Sequence, residues 1–149
     1  MTTLRVARPV TDLQRSEQMY CNGLGLQKVG SFAQHDGFSG VMLGRQGLAW
    51  HLEFTVCHAH PVMPAPTEDD LLVLYIADHD EWQASCHRMV QAGFSVVASF
   101  NPYWERQGKT FCDPDGYRVV LQQGRWPMPT NNKENSHVYH QPDIQRAAG

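Results

Sequence analysis

The stretch FCDPDGYRVVLQ, residues 111–122, decides how the chain is read. Asp113-Pro114-Asp115-Gly116 has the composition of a tight turn: Pro114 fixes one φ angle, and Gly116 accepts the positive φ that closes a hairpin. Beyond it, Tyr117, Val119 and Leu121 alternate with Arg118, Val120 and Gln122, so the two sets leave opposite faces of a strand. The second set holds an uncharged Val120 between Arg118 and Gln122. What stands at that position bears on whether the protein holds a metal.

Upstream of this hairpin, LLVLYIAD (71–78) reads as an apolar strand and DHDEWQASCHRMVQAG (78–93) as a helix entered at Asp78. Trp82, Cys86 and Met89 share one side of it, and Gly93 ends it. FSVVASF (94–100) is expected to be a strand before the final pair, so this half reads β-α-β-β-β. The first half has the same order. Leu4 to Val10 alternates as a strand ending at Pro9, and Asp12 caps a helix with Leu13, Ser16, Met19 and Tyr20 near one face. Gly23 and Gly25 are expected to stop that helix. LQKVGSF, FSGVMLG and LAWHLEFTV follow as strands, separated by turns at His35-Asp36-Gly37 and Arg45-Gln46-Gly47. GLQKVGSF (25–32) also resembles GFSVVASF (93–100), and the shared order of elements favours a duplication. The proline-rich CHAHPVMPAPTEDD (57–70) suits a linker, and residues 125–149 a C-terminal tail that is mobile or laid across a neighbouring surface.

With 149 residues the chain has room for one sizeable core or two small modules sharing one. A hydrophobic fraction of 42% with 18% charged residues is that of a folded globular protein. The net charge of −3 leaves no basic footprint for nucleic acid. No apolar run is long enough for a membrane span and the first residues lack a signal-peptide pattern, so a cytoplasmic protein is expected. Cys21, Cys57, Cys86 and Cys112 stand singly, which suggests buried free thiols rather than a zinc knuckle or disulfide framework.

The two β-α-β-β-β modules, the helix-entry motif VTDLQRS (10–16), GLGL after the first helix and DPDGYRVVL near the end resemble the glyoxalase/bleomycin-resistance/dioxygenase family, the vicinal oxygen chelate superfamily. The similarity spans residues 3–124, as modules 3–56 and 70–124. It implies an α+β fold in which each module forms a half-barrel and the pair encloses a pocket. It also implies a homodimer. Metal-using members place ligands on the first and fourth strands of both modules. Those positions fall here on Arg5, Glu53, Leu71 and Val120. Arg, Leu and Val supply no donor to a divalent cation, so no metal and no other cofactor is expected. Where such a relative would commonly carry a Glu, Val120 stands.

Glu53 and His51, two apart on one strand, face the same side, and the resemblance points Arg5 into the same space. Arg5 is therefore expected to take over the positive charge, paired with Glu53 or presented to an anionic ligand; a salt bridge that only fastens two strands is the competing reading. Arg8, on the other strand face, is a competing anion binder. Asn101, Tyr103 and Trp104 of SFNPYW are expected to line a pocket mouth. His58 and His60 read as surface histidines, although HLEFTVCHAH holds donors enough for a non-standard metal site. The resulting expectation is metal-free binding of a small, planar or anionic molecule. The alternative is a lyase, isomerase or dioxygenase-like enzyme using Glu53 as catalytic base, or a divalent metal held through His51 and Glu53.

Overall fold

The protein is described from a computed structural model covering residues 1–129; residues 130–149 of the expected tail lie outside the described residues. Eight strands and two α-helices form two modules of one design. The first is β1 (Leu4–Pro9), α1 (Leu13–Leu24), β2 (Gln27–His35), β3 (Phe38–Gly44) and β4 (Trp50–Cys57). The second is β5 (Leu71–Ile76), α2 (His79–Gln91), β6 (Ser95–Val97), β7 (Gly108–Cys112) and β8 (Arg118–Gln123). Each makes a four-stranded mixed sheet, in the orders β1-β4-β3-β2 and β5-β8-β7-β6. The α+β class and the doubled β-α-β-β-β order are those read from the sequence.

Local chemistry starts and stops the helices as expected, with one correction. Asp12 accepts from the Arg15 N–H at 3.0 Å, and Asp78 from the Glu81 N–H at 2.9 Å. Each satisfies a backbone donor that the first helical turn leaves free. Gly25 ends α1 in the left-handed conformation (φ 68°). Gly23 does not stop it. It lies inside the helix, where a Cβ would come within 2.8 Å of Met89 Sδ and 3.1 Å of the Phe94 ring. Its lack of a side chain lets the two modules close on each other.

The expected strand 94–100 is also shorter: β6 keeps only Ser95–Val97. The chain then turns through a 3-10 helix, Pro102–Glu105, that packs against β7. Ser99 explains part of the loss, because its hydroxyl bonds Thr110 Oγ1 at 2.6 Å and its N–H donates to Glu105. These local bonds replace a strand ladder. The cysteines are free, as expected, but only Cys86 is buried; the other three are half-buried.

Alternation along the strands builds one core on the helix side of both sheets. Leu52 and Phe54 of β4 and Val119 and Leu121 of β8 are almost completely buried there, around Tyr20, Met89 and Phe94. Tyr20 packs edge-on against Phe54 (4.8 Å) and Phe94 (5.1 Å), so one α1 side chain touches both modules. Strand register makes the modules comparable position by position. β1 pairs with β4 as Arg5↔His51 and Ala7↔Glu53; β5 pairs with β8 as Leu71↔Arg118 and Val73↔Val120. Leu43↔Leu52 in the first module likewise matches Phe111↔Val119 in the second, which makes Arg45 the counterpart of Asp113.

The DPDGY turn is more than a hairpin closure. The Asp113 carboxylate accepts from the backbone N–H groups of Asp115 (2.9 Å) and Tyr117 (3.0 Å) and from the Tyr20 hydroxyl across the modules (2.8 Å). Asp115 receives the Thr11 N–H and hydroxyl and pairs with Arg15 at 3.5 Å. The Tyr117 hydroxyl donates to the Pro9 carbonyl at 2.7 Å, while Arg8 lies 4.7 Å over the Tyr117 ring with its Nη1 buried and unpartnered. Arg8, a candidate anion binder by sequence, is built into this seam.

Burial is the largest effect on Asp113 and raises its pKa, against the lowering by its hydrogen bonds; burial likewise raises that of Tyr20, which stays a donor. Tyr20→Phe is expected to cost roughly 1–3 kcal/mol in urea unfolding, the range for a hydrogen bond to a charged, buried acceptor. A raised carboxyl pKa means that the folded state binds the proton more tightly than the unfolded chain, whose ordinary value is 3.8. That contribution is present in full below the unfolded value and is lost as pH rises through the folded one. The stability of the wild type relative to Asp113→Asn should therefore increase on acidification from neutrality towards about pH 4; a relative decrease would contradict the assignment.

Candidate functional site

The faces of the two sheets turned away from the helices carry the residues that could do chemistry. On the first module Arg5, His51 and Glu53 meet there, because β1 and β4 run parallel in the register just given and side chains at paired positions share a face. Arg5 Nε donates to His51 Nε2 at 2.8 Å, and Arg5 Nη1 lies 3.2 Å from Glu53 Oε2. The guanidinium is thus held in one plane by two neighbours. Its side chain is 48% exposed against 15% for Glu53, so the cation is presented outwards and its carboxylate partner lies beneath. The bond from Arg5 needs a neutral His51 with a free Nε2 lone pair, which places the ring proton on Nδ1.

The matching positions of the second module are different in kind. Leu71 stands for Arg5, Arg118 for His51 and Val120 for Glu53. Val120 is completely buried yet lies outside the helix-side core, so it faces away from the helices, as do Arg118 and Gln122. Arg118 is tied back, donating to the Ala98 carbonyl at 3.2 Å and pairing with Glu68 at 3.7 Å.

Asn101, Tyr103 and Trp104 belong to this second module, in the turn before β7. The Asn101 side chain caps the 3-10 helix by accepting from the Tyr103 N–H at 3.0 Å, and the two aromatic rings meet edge-on at 4.8 Å. His58 bonds the Ser39 hydroxyl at 2.8 Å at the far end of β4 and, like His60, is exposed. Among the described residues no three His, Cys, Asp or Glu side chains form a cluster able to hold a metal ion. No helix among them is long and apolar enough to cross a membrane.

The sequence matches the YycE-like N-terminal domain over residues 4–55 and the YycE-like C-terminal domain over residues 69–123. An uncharacterized YycE protein of Bacillus subtilis is 38% identical over 122 residues, which span 82% of this chain and 88% of the relative. The chain belongs to the YycE family. A crystal structure of a B. subtilis YycE protein of unknown function has the same fold, with a TM-score of 0.79 and 36% identity over 87% of this chain and 94% of that one. More distant neighbours share the fold alone. Leishmania major glyoxalase I has a TM-score of 0.63 at 20% identity (83% of this chain, 87% of that one). TnmS3, an antibiotic binding protein from Streptomyces sp. CB03234, has 0.58 at 21% (84% and 97%). The fold that the B. subtilis YycE structure shares with this chain is that of the vicinal oxygen chelate superfamily, as the sequence motifs indicated.

The four positions to which the resemblance assigns metal ligands are Arg5, Glu53, Leu71 and Val120. These residues do not fit a divalent cation. Two have no donor atom, the third is itself a cation, and the one carboxylate already faces that cation. The ring geometry is open to direct measurement. At mildly alkaline pH, long-range ¹H–¹⁵N correlation should show His51 protonated on Nδ1, and Arg5→Met should shift the ring towards the Nε2–H tautomer. An Nε2–H ring in the wild type would contradict the Arg5–His51 bond.

Proposed function

We propose that this YycE-family protein binds a small planar or anionic molecule on the open face of its first module, with Arg5 as the anion-recognising group and without a metal ion. The observation that carries this reading is the held yet half-exposed guanidinium. Two of its nitrogens, Nε and Nη1, are engaged by His51 and Glu53, and Nη2 is the group proposed to meet ligand oxygens. A guanidinium fixed by neighbours loses less side-chain entropy on binding than a free one, and its planar fork matches a carboxylate or phosphate. Glu53, the residue considered as a catalytic base, then acts as the positioning residue for Arg5. That an antibiotic binding protein shares the fold supports a binding role within the fold's range, although fold alone does not assign function. A second copy of the chain covering this open face belongs to the same reading.

Two measurements test it. Elemental analysis of dialysed protein is expected to find no stoichiometric Ni, Zn, Fe or Mn; a retained equivalent of any of them would overturn the metal-free reading. A calorimetric screen of aromatic carboxylates and phosphates should return a ligand whose affinity falls at least about tenfold (~1.4 kcal/mol) in Arg5→Met. Glu53→Gln should weaken binding less, since it loosens Arg5 without removing it. Ligands that bind both variants as tightly as the wild type would place the site elsewhere.

A further inference from the structure

The near-repeat of the two modules gives the molecule two inter-module seams, and they are not alike. At one, the β7–β8 turn of the second module closes on β1 and α1 of the first through Asp113, Asp115 and Tyr117. At the other, the β3–β4 turn of the first module faces β5 and α2 of the second. There the counterpart of Asp113 is Arg45, and the counterpart of Arg15, three residues after the helix cap, is Glu81. In the closed seam Arg15 pairs with Asp115, whose counterpart two residues past Arg45 is the uncharged Gly47, and no ion pair joins Arg45 to Glu81. Instead a cavity of about 420 Å³ separates the turn from the helix, within the size range of small-molecule pockets (roughly 300–1,000 Å³).

Its walls sort by chemistry. Arg45, Arg88, Glu81, Ser85 and Tyr75 supply polar groups, and leucines with Trp50 line most of the rest. Neither arginine is paired with a carboxylate among the described residues; Arg88 donates only to the Ser85 hydroxyl, at 2.8 Å. A second cavity of about 220 Å³ shares Leu24, Trp50, Val73 and Leu74 with the first and runs on to Leu4, Val6, Leu52 and Leu72, with no charged residue in its lining. Polar and apolar compartments in series suit an amphiphile. Two arginines against one glutamate leave a single net positive charge, which suits a monoanion better than a phosphate dianion.

We propose that this open seam is a binding site for a small apolar monoacid, with its carboxylate on Arg45 and Arg88 and its acyl or aryl body along the apolar cavity. The site lies on the helix side of the sheets, opposite the Arg5 face, and does not depend on the function proposed there. Calorimetric titration of the full chain with octanoate, and with 1-octanol as its uncharged counterpart, tests it. Octanoate should bind saturably, one per chain, and at least about tenfold tighter than octanol. Arg45→Met and Arg88→Met should each weaken octanoate at least about tenfold, and leave octanol and the circular dichroism spectrum unchanged. Ala77→Trp, a substitution at an exposed wall residue of the cavity, should suppress both ligands. Arg5→Met should leave octanoate binding intact. The absence of saturable octanoate binding, equal affinity for octanol, or unchanged binding in Arg45→Met would each overturn the proposal. So would loss of octanoate in Arg5→Met with retention in Arg45→Met, which would assign the acid to the other face.

Discussion

The hydrogen bond from Tyr20 to Asp113 joins two modules that are otherwise separate sheets. Each module buries only the helix side of its own sheet, and four short strands with one helix bury too little apolar surface to be secure alone. Tyr20 is the most deeply buried of the connections, beside Thr11–Asp115, Arg15–Asp115 and Tyr117–Pro9. Its ring touches Phe54 of the first module and Phe94 of the second, and its hydroxyl reaches a carboxylate that the turn backbone already holds. Removing either partner would leave a polar group buried without its bond, which costs more than the bond contributes. The geometry of both candidate sites rests on this seam, because it sets how the two sheets and helices meet.

Duplication explains why the two faces turned away from the helices can differ so far without loss of the fold. Positions facing the helices must stay apolar, and they do: Leu52 and Phe54 answer to Val119 and Leu121. Positions facing away are not bound by that requirement. Arg5, His51 and Glu53 form a polar group on one sheet, whereas Leu71, Arg118 and Val120 leave an aliphatic pair and a tethered cation on the other. A bridging divalent ion would need donors from both faces. Arg5 needs no partner from the second sheet, because two hydrogen-bond acceptors within its own sheet hold it.

The parts of this structure legible in the sequence are those governed by near neighbours along the chain. Period-two alternation, the Asp12 and Asp78 caps and the Gly25 stop gave the elements and their order, and parity along β4 put His51 and Glu53 on one face. The Arg5 group could be anticipated because the superfamily resemblance supplied the β1–β4 pairing that alternation alone does not. DPDGY was legible as a turn but not as a clamp, since Thr11, Arg15 and Tyr20 lie about a hundred residues away in sequence. Gly23 looked like a helix stop because glycine usually punctuates; here a close helix approach selects it. The shortening of β6 was hidden for a related reason. Ser99 has ordinary strand neighbours, and only Thr110 and Glu105, brought back by the loop, draw it out of the ladder. Nothing local marked Arg45 and Arg88 as neighbours of one cavity.

Closed and open seams together divide the work of the molecule. At the closed seam Tyr20, Asp113 and Tyr117 fill the space between turn and helix, so that junction resists change. At its counterpart the helix offers Ser85 and Cys86 where α1 offers Met19 and Tyr20, counted from the two caps. Smaller side chains leave space that the β3–β4 turn does not fill. A cavity forfeits dispersion contacts along the apolar part of its lining, and two arginines with no carboxylate partner among the described residues gain nothing from one another. An apolar acid would restore the contacts and neutralise the excess charge in one step. The same substitution pattern that weakens this seam as a joint therefore suits it to a ligand, while the Tyr20–Asp113 seam keeps the modules in register whether or not the cavity is filled.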